Sequence, residues 1–281
     1  YIRDNNFTSA GITFLTPMFD AIKKLSAVIK QCSPGIKIIA GGAHPSALPA
    51  DTLRECPDID YLCIGEGEEV VLYFLKFLRG EIDITDVPSL AYRVSGRIIK
   101  NPLVDNTDNL DSLPKPARHL LPMNRYKLTA SRTKKSGFCP TIILARGCPF
   151  NCQFCSHPFG RTFRRHSVKR IIEEIKELRE LYRSGQFNFE ADTLTLDKQF
   201  VMELCEAIIK ERLNIRWTCE SRTDTVDEEM LKIMKDAGCW QISYGVESGS
   251  QRLLDIINKG IKKEDVERIF KITHRTGITI R

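Results

Sequence analysis

The sequence contains no apolar run near the roughly 18 residues that a membrane crossing requires, and its first residues lack the basic-then-apolar pattern of a secretory signal. It has no internal repeat and no low-complexity tract. Neither sign of charge dominates: 42 Lys and Arg face 36 Asp and Glu, a net +6 too mild to demand an anionic partner. The two basic stretches, Arg161, Arg164, Arg165, His166, Lys169 and Arg170, and Lys127, Arg132, Lys134 and Lys135, are not interleaved with aromatic residues in the regular way of a nucleic-acid site. Single-stranded nucleic-acid sites usually are, so nucleic acid is not an expected partner. What remains is ordinary globular composition, 42% hydrophobic and 28% charged over 281 residues, which excludes disordered and fibrous classes and suggests two unequal units with real cores. A cytoplasmic location is expected. Residue 1 is Tyr, not Met, and Ile278 to Arg281 resembles the middle of a strand, so the chain is read as a fragment.

Ten cysteines in a chain without a secretion signal argue for metal ligands over a disulfide framework. Seven are scattered, Cys32, Cys56, Cys63, Cys139, Cys205, Cys219 and Cys239, and are expected to be small core or surface residues. Three are clustered in Arg146-Gly-Cys-Pro-Phe-Asn-Cys-Gln-Phe-Cys155, with Cys148, Cys152 and Cys155 in the spacing C-x-x-x-C-x-x-C.

Periodicity predicts an α/β fold. Apolar runs at Phe7 to Leu15, Ile36 to Ala40 and Tyr61 to Ile64 read as strands, and Met18 to Ile29 and Glu68 to Leu78 repeat at helical spacing. This alternation builds a parallel sheet whose ligands sit beyond the C-terminal strand ends, where Gly41-Gly42 and Gly65-Glu66-Gly67 lie. From 101 to 137 the chain is rich in Pro, Asn and Asp and reads as a linker between a unit at 1–100 and one at 138–281. Alternation then restarts: strand Thr141 to Ala145, the cysteine loop, helix Ser167 to Arg183, strand Phe187 to Glu190, helix Lys198 to Arg212, strand Ile215 to Cys219, helix Asp227 to Ala237 and strand Gln241 to Val246. Helices between Gln251 and Thr276 and a beginning strand at Ile278 follow. Val168, Ile171, Ile172, Ile175, Leu178 and Leu181 form the apolar stripe of the first of these helices, with Ser167 as its N-cap. Repeated βα units close into a full or partial barrel with its active site at the C-terminal mouth.

The cysteine loop follows the first strand of the second unit and so falls at that mouth. Three thiolates can hold an iron–sulfur cluster while leaving one iron open to an outside ligand. A structural zinc site is the alternative, with Cys139 or His157 completing four ligands. Polar residues end the following strands: Glu190 and Asp192, then Glu220, Ser221 and Arg222, then Glu247 and Ser248.

The cysteine spacing with Phe154 before its last member resembles the radical S-adenosylmethionine superfamily. Trp217-Thr-Cys-Glu-Ser-Arg-Thr-Asp224 and Tyr244-Gly-Val-Glu-Ser-Gly-Ser250 resemble its later strands, whereas Glu190-Ala191-Asp192 departs from the paired acids or glycines often found after its second strand. The resemblance implies a [4Fe–4S] cluster on Cys148, Cys152 and Cys155, its free iron chelated by S-adenosylmethionine, and cleavage of that molecule to a 5′-deoxyadenosyl radical. It implies S-adenosylmethionine contacts from Phe154, Glu190, Asp192, Glu220, Ser221, Arg222 and Glu247, acids for its cationic and hydroxyl groups and an Arg for its carboxylate. The first unit resembles the cobalamin-binding domain that precedes the radical domain in one large class of these enzymes, through Thr13 and Leu15, Gly41, Gly42 and His44, and Gly65, Glu66 and Gly67. His44 is expected as a loop residue near that cofactor, not as its cobalt ligand, and His157 and His166 as loop and surface residues. The resemblance implies a partial Rossmann-like cobalamin domain followed by a truncated (β/α) partial barrel, with cobalamin presented to the same cavity. It further implies methyl transfer to an unactivated carbon of a small molecule, with electrons from an external flavodoxin or ferredoxin. Oxidative or ring-rearranging radical chemistry, with or without cobalamin, is the second reading, and a non-catalytic metal-binding module the third.

Overall fold

Alternating apolar residues in short β-branched runs, each followed by an amphipathic helix, set the architecture of both halves. The computed structural model describes residue 2 and residues 4–104, 107–126 and 138–281, and these divide into units at 1–107 and 108–281.

In the first unit β1 (Ser9–Thr13), β2 (Lys37–Gly41) and β3 (Tyr61–Cys63) run parallel, and β4 (Leu90–Val94) and β5 (Arg97–Lys100) add an antiparallel hairpin, in the order β1-β2-β3-β4-β5. Alternation along β2 sends Ile38 and Ala40 to one face, with Ile22 and Ile29 of α1 (Phe19–Cys32), and Ile39 to the other, with Val70 and Phe74 of α4 (Gly67–Leu78). Two short helices, α2 (Ala43–Ala47) and α3 (Pro49–Glu55), fill the connection between β2 and β3. Neither they nor the β4–β5 hairpin is visible in the periodicity. The helices are too short to show a stripe, and the hairpin's exposed strand, Arg-Ile-Ile-Lys, has no clear period of two.

In the second unit β6 (Thr141–Ile143), β9 (Gln186–Glu190), β10 (Arg216–Ser221), β11 (Cys239–Tyr244) and β12 (Thr279–Ile280) form a parallel sheet in the order β12-β11-β10-β9-β6. A two-residue pair, β7 (Ala145–Arg146) with β8 (Arg164–Arg165), closes the base of the cysteine loop. Helices α5 (Val168–Tyr182), α6 (Lys198–Lys210), α7 (Glu228–Asp236), α8 (Gln251–Ile256) and α9 (Lys263–Arg275) fill the connections. One sheet face, built from Ile142, Phe187, Phe189, Trp217, Cys219 and Ile242, packs with α5, α6, α7 and α9 into one apolar core. Trp217 is fully buried, stacks on Phe189 at 4.9 Å and donates its indole N–H to the Ala237 carbonyl; truncation of such a residue to Ala costs about 3–5 kcal/mol. Ser167, Asp197 and Asp227 cap α5, α6 and α7 by accepting from Arg170, Phe200 and Met230 N–H groups. Of the expected α5 stripe, Leu181 is exposed, and Tyr182 beside it packs against the core instead.

The structure sets the unit boundary at 107/108, inside the stretch read as linker. Residues 108–126 belong to the second unit as a strap along α5: Leu110 is fully buried, and Arg118 pairs with the buried Glu174 at 2.7 Å. Asp111 accepts from the Ser167 N–H and meets His166 Nδ1 at 2.9 Å. His166 is therefore a half-enclosed partner of the strap, not a surface residue. Residues 127–137 of the expected linker, with Lys127, Arg132, Lys134 and Lys135, lie outside the described residues. Six of the seven scattered cysteines are buried and Cys32 is half-buried. Among the described residues no helix is long and apolar enough to cross a membrane.

Candidate functional site

The cysteine loop opens at Gly147, whose φ of +86° is a left-handed conformation. A Cβ there would lie 2.1 Å from the Thr162 carbonyl oxygen, so only glycine fits. The Gly147 N–H donates to Asp192 Oδ2 at 2.7 Å, which ties the loop to the residue just past β9. Within the loop the Cys148 N–H donates to the Gly160 carbonyl and the Cys155 N–H to the Cys152 carbonyl. On its far side the Gln153 N–H donates to the Ile257 carbonyl, and Asn258 Nδ2 to the Asn151 carbonyl at 2.9 Å.

The three thiols are free and differently exposed: Cys152 is buried, Cys148 half-buried and Cys155 exposed. Cys148 Sγ lies 3.6 Å from Thr193 Oγ1, and Cys152 Sγ accepts from Arg222 Nη1 at 3.5 Å. Among the described residues no three His, Cys, Asp or Glu side chains converge as a single metal ion requires. A cluster asks for a different arrangement, three soft thiolates each on its own iron, and three thiols spread along one loop offer that donor set.

Arg222 carries the architecture of this corner. Only 5% exposed, it donates from Nε and Nη2 to both Asp224 oxygens, from Nη1 to Cys152 and from Nη2 to the Lys259 carbonyl, and its guanidinium lies 3.6 Å from the centre of the Phe150 ring. Burial pulls its pKa down, but the Asp224 carboxylate and the Cys152 sulfur more than offset this and leave it raised. Its fork is thus engaged by the protein, whereas the sequence reading assigns it to a ligand carboxylate. Lys259, which that reading missed, is 6% exposed; its Nζ meets Glu247 Oε1 at 3.0 Å and lies 5.5 Å from the centre of the exposed Phe154 ring. Glu247 itself holds a left-handed φ of +70°. No sequence signal marked Lys259, which stands in the turn Asn258-Lys259-Gly260.

The other expected residues separate. Glu190 ends β9 and Glu220 is the penultimate residue of β10, Glu190 accepting from Asn188 Nδ2 at 2.5 Å. Ser221 is buried in a hydroxyl group with Thr195 and Thr225, turned toward neighbouring loops. In the first unit Thr13, Gly41 and Gly65 sit at or just past the C-terminal ends of β1, β2 and β3, with Leu15 exposed nearby and Glu66 at the N-cap position of α4 ahead of Gly67. Gly42, at φ +100°, would bring a Cβ within 2.8 Å of the Phe14 carbonyl and the Thr13 hydroxyl, and the Gly65 N–H donates to Ser46 Oγ at 3.0 Å. His44 is not a loop residue: it lies in α2, 7% exposed, with ring contacts to Phe14 and Phe19 and Nδ1 3.0 Å from Thr16 Oγ1. His157 is half-buried in the cysteine loop at φ +46°, with both ring nitrogens buried and without a hydrogen-bond partner.

A parallel βα sheet with a three-thiol loop beyond its first strand, preceded by a Rossmann-like unit whose glycines gather at strand ends, defines an α/β protein of two βα units. The profile of the Radical SAM superfamily matches residues 142–280, and that of the B12 binding domain matches residues 1–74. The chain thus carries, in order, a match to the B12 binding domain and a match to the radical SAM superfamily. It is 34% identical over 271 residues to the uncharacterized methyltransferase PH0819 of Pyrococcus horikoshii, covering 95% of this chain and 58% of that protein. It is 29% identical over 275 residues to the anaerobic magnesium-protoporphyrin IX monomethyl ester cyclase of Rubrivivax gelatinosus, covering 95% of this chain and 49% of that protein. The chain therefore spans about half the length of the curated relatives it matches. Its fold is similar to that of OxsB, a cobalamin-dependent S-adenosylmethionine radical enzyme solved with aqua-cobalamin and S-adenosylmethionine bound, with a TM-score of 0.81 at 20% identity over 100% of this chain and 41% of that one.

Proposed function

We propose that this chain is part of a cobalamin-dependent radical S-adenosylmethionine enzyme that transfers a methyl group to an unactivated carbon of a small molecule. The observation that carries the reading is the braced loop of three free thiols, held at the strand mouth by Asp192, Arg222 and Asn258. Cys148, Cys152 and Cys155 would hold a [4Fe–4S] cluster, and the backbone at Gly41, Gly42, Gly65 and Gly67, with Thr13, Leu15, His44 and Glu66 around it, would receive cobalamin. When bound, these groups and S-adenosylmethionine supply the reducing electron, the carbon-centred radical and the methyl carrier.

The chain's own residues bind and orient. Lys259, buried and, among the described residues, paired to one Glu247 oxygen, is the cation best disposed for the carboxylate of S-adenosylmethionine, with Phe154 beside it for the adenine region. Glu190, Asp192 and Glu220 present acids for ammonium and hydroxyl groups. Arg222, with its fork occupied, positions the Cys152 loop. An external flavodoxin or ferredoxin would deliver the electron, in the cytoplasm.

Electron paramagnetic resonance on the anaerobically reconstituted, reduced protein tests the reading. A four-iron signal that shifts on adding S-adenosylmethionine supports it, and zinc in place of iron overturns it. A second reading, ring-forming or oxidative chemistry on the same machinery, draws support from the similarity to the cyclase; analysis of products for an added methyl group separates the two.

A further inference from the structure

The three thiols of the cysteine loop stand in unlike surroundings. Cys155 is exposed. Cys148 Sγ has Thr193 Oγ1 at 3.6 Å, a neutral hydroxyl that also donates to the Asp192 carbonyl at 2.7 Å. Among the described residues only Cys152, which is buried, has a charged donor on its sulfur: the guanidinium of Arg222, just past the end of β10, reaches its Sγ from Nη1 at 3.5 Å.

An arginine keeps its proton at any ordinary pH, so this charge is fixed. Three of its N–H bonds go to oxygen, from Nε and Nη2 to the two Asp224 oxygens and from Nη2 to the Lys259 carbonyl. The fourth goes to sulfur. A neutral thiol is a weak acceptor, whereas an ionised acceptor draws a charged donor strongly, so a buried guanidinium N–H aimed at Cys152 suits a sulfur that carries negative charge. Asp224 takes the Nε–Nη2 edge and leaves Nη1 for the thiol, so the cation stands between the acid and the sulfur. Lys259, the other buried cation of this corner, has Glu247 Oε1 at 3.0 Å.

We propose that Arg222 raises the reduction potential of the cluster that Cys148, Cys152 and Cys155 would hold, and that Asp224 trims this effect. The inference rests on the reading of the loop as a cluster site. Reduction passes one electron from an external flavodoxin or ferredoxin to the cluster; the donor is oxidised, the cluster gains one negative charge, and no proton has to move because Arg222 stays charged. A fixed cation bonded to a ligand sulfur favours the more negative state, and hydrogen bonds to the sulfurs are among the levers that set such potentials. The Asp224 carboxylate, held on the far edge of the same guanidinium and partly exposed, opposes the cation without cancelling it. Arg222 thereby lets a weaker donor reduce the cluster.

The test is a redox titration followed by electron paramagnetic resonance on the anaerobically reconstituted full chain, without S-adenosylmethionine, in the parent and in Arg222→Gln, Arg222→Lys and Asp224→Asn. Arg222→Gln is expected to cut the reduced-to-oxidised ratio at the parent's midpoint about tenfold, a fall of about 59 mV for a one-electron couple. Asp224→Asn, which keeps the cation and removes its counter-charge, should raise the midpoint, and Arg222→Lys, which keeps the charge without the fork, should fall between the parent and Arg222→Gln. A loop that is merely loosened would shift Arg222→Gln and Asp224→Asn in the same direction. That result, or equal midpoints in all four proteins, overturns the proposal. If Arg222→Gln does not load iron, Asp224→Asn decides alone: a rise supports the proposal, and a fall or no change overturns it. A parent protein without a four-iron signal overturns the cluster reading itself, whereas a parent signal with unmoved midpoints strikes only the role of Arg222.

Discussion

Arg222 Nη1 donates to the Cys152 thiol at 3.5 Å across 70 residues of sequence, while the rest of the same guanidinium clasps Asp224 and the Lys259 carbonyl. One buried side chain thus joins the cysteine loop, the end of β10 and the turn after α8. Loop geometry is set by a cation that the protein itself consumes.

Replacing Arg222 by Lys removes the planar fork and strands Asp224, which is partly solvated. A stability loss of about 2 to 3 kcal/mol is expected in urea denaturation, below the full effect of breaking a wholly buried pair. Proteolytic cleavage between 147 and 160 should rise in the same variant. An unchanged midpoint and cleavage rate would show that the loop is held elsewhere.

Gly147→Ala forces a Cβ into the Thr162 carbonyl at a left-handed φ. Strain alone costs about 1–2 kcal/mol, and the clash with backbone adds to it. The variant should melt earlier and load less iron, whereas Gly185→Ala, with nothing within 4 Å of its added carbon, should stay within about 0.5 kcal/mol of the parent.

Alkylation separates the cysteines. Burial pushes the Cys63 and Cys139 thiols up to about 11, and Cys205 and Cys239 are raised further. At mildly alkaline pH these four should resist iodoacetamide while exposed Cys155 reacts first. Mass spectrometry before and after iron–sulfide reconstitution should show Cys155 becoming protected. Equal labelling in both samples would remove it from the cluster ligands.

Asp111 governs an acid-side loss of stability. Partial burial raises its pKa, but hydrogen bonds from Ser167 and contact with His166 outweigh this and leave it lowered. A depressed folded pKa stabilises above the ordinary carboxylate value near 3.9 and is lost as pH falls through the folded one. Asp111→Asn should therefore destabilise at neutral pH, and the difference from the parent should shrink in unfolding curves taken below about pH 4. A gap that persists unchanged in acid would assign the effect to packing.

Much of this molecule was legible in its residues. C-x-x-x-C-x-x-C is a local motif, and the βα alternation is a local period, so the three-thiol loop and the elements it follows could be read in one dimension. Gly147 and Gly42 were legible only as glycines; that each is required depends on backbone brought from elsewhere, Thr162 and Phe14. The 101–137 stretch showed its turn-forming composition but not that Leu110, Asp111 and Arg118 pack on α5, because a strap without periodicity leaves no signature. Lys259 and the engagement of Arg222 were hidden for the same reason: a side chain's partner across 37 or 70 residues is not written in its neighbours.

The sequence by itself determined where the three thiols and the strand-end glycines stand, since their spacing is a property of the chain. Which cation the protein itself engages was decided by tertiary structure alone. Strand register brings Thr218 beside Asn188 and lets its hydroxyl donate to Asn188 Oδ1 at 2.9 Å, and register is a property of the folded sheet, not of any one strand.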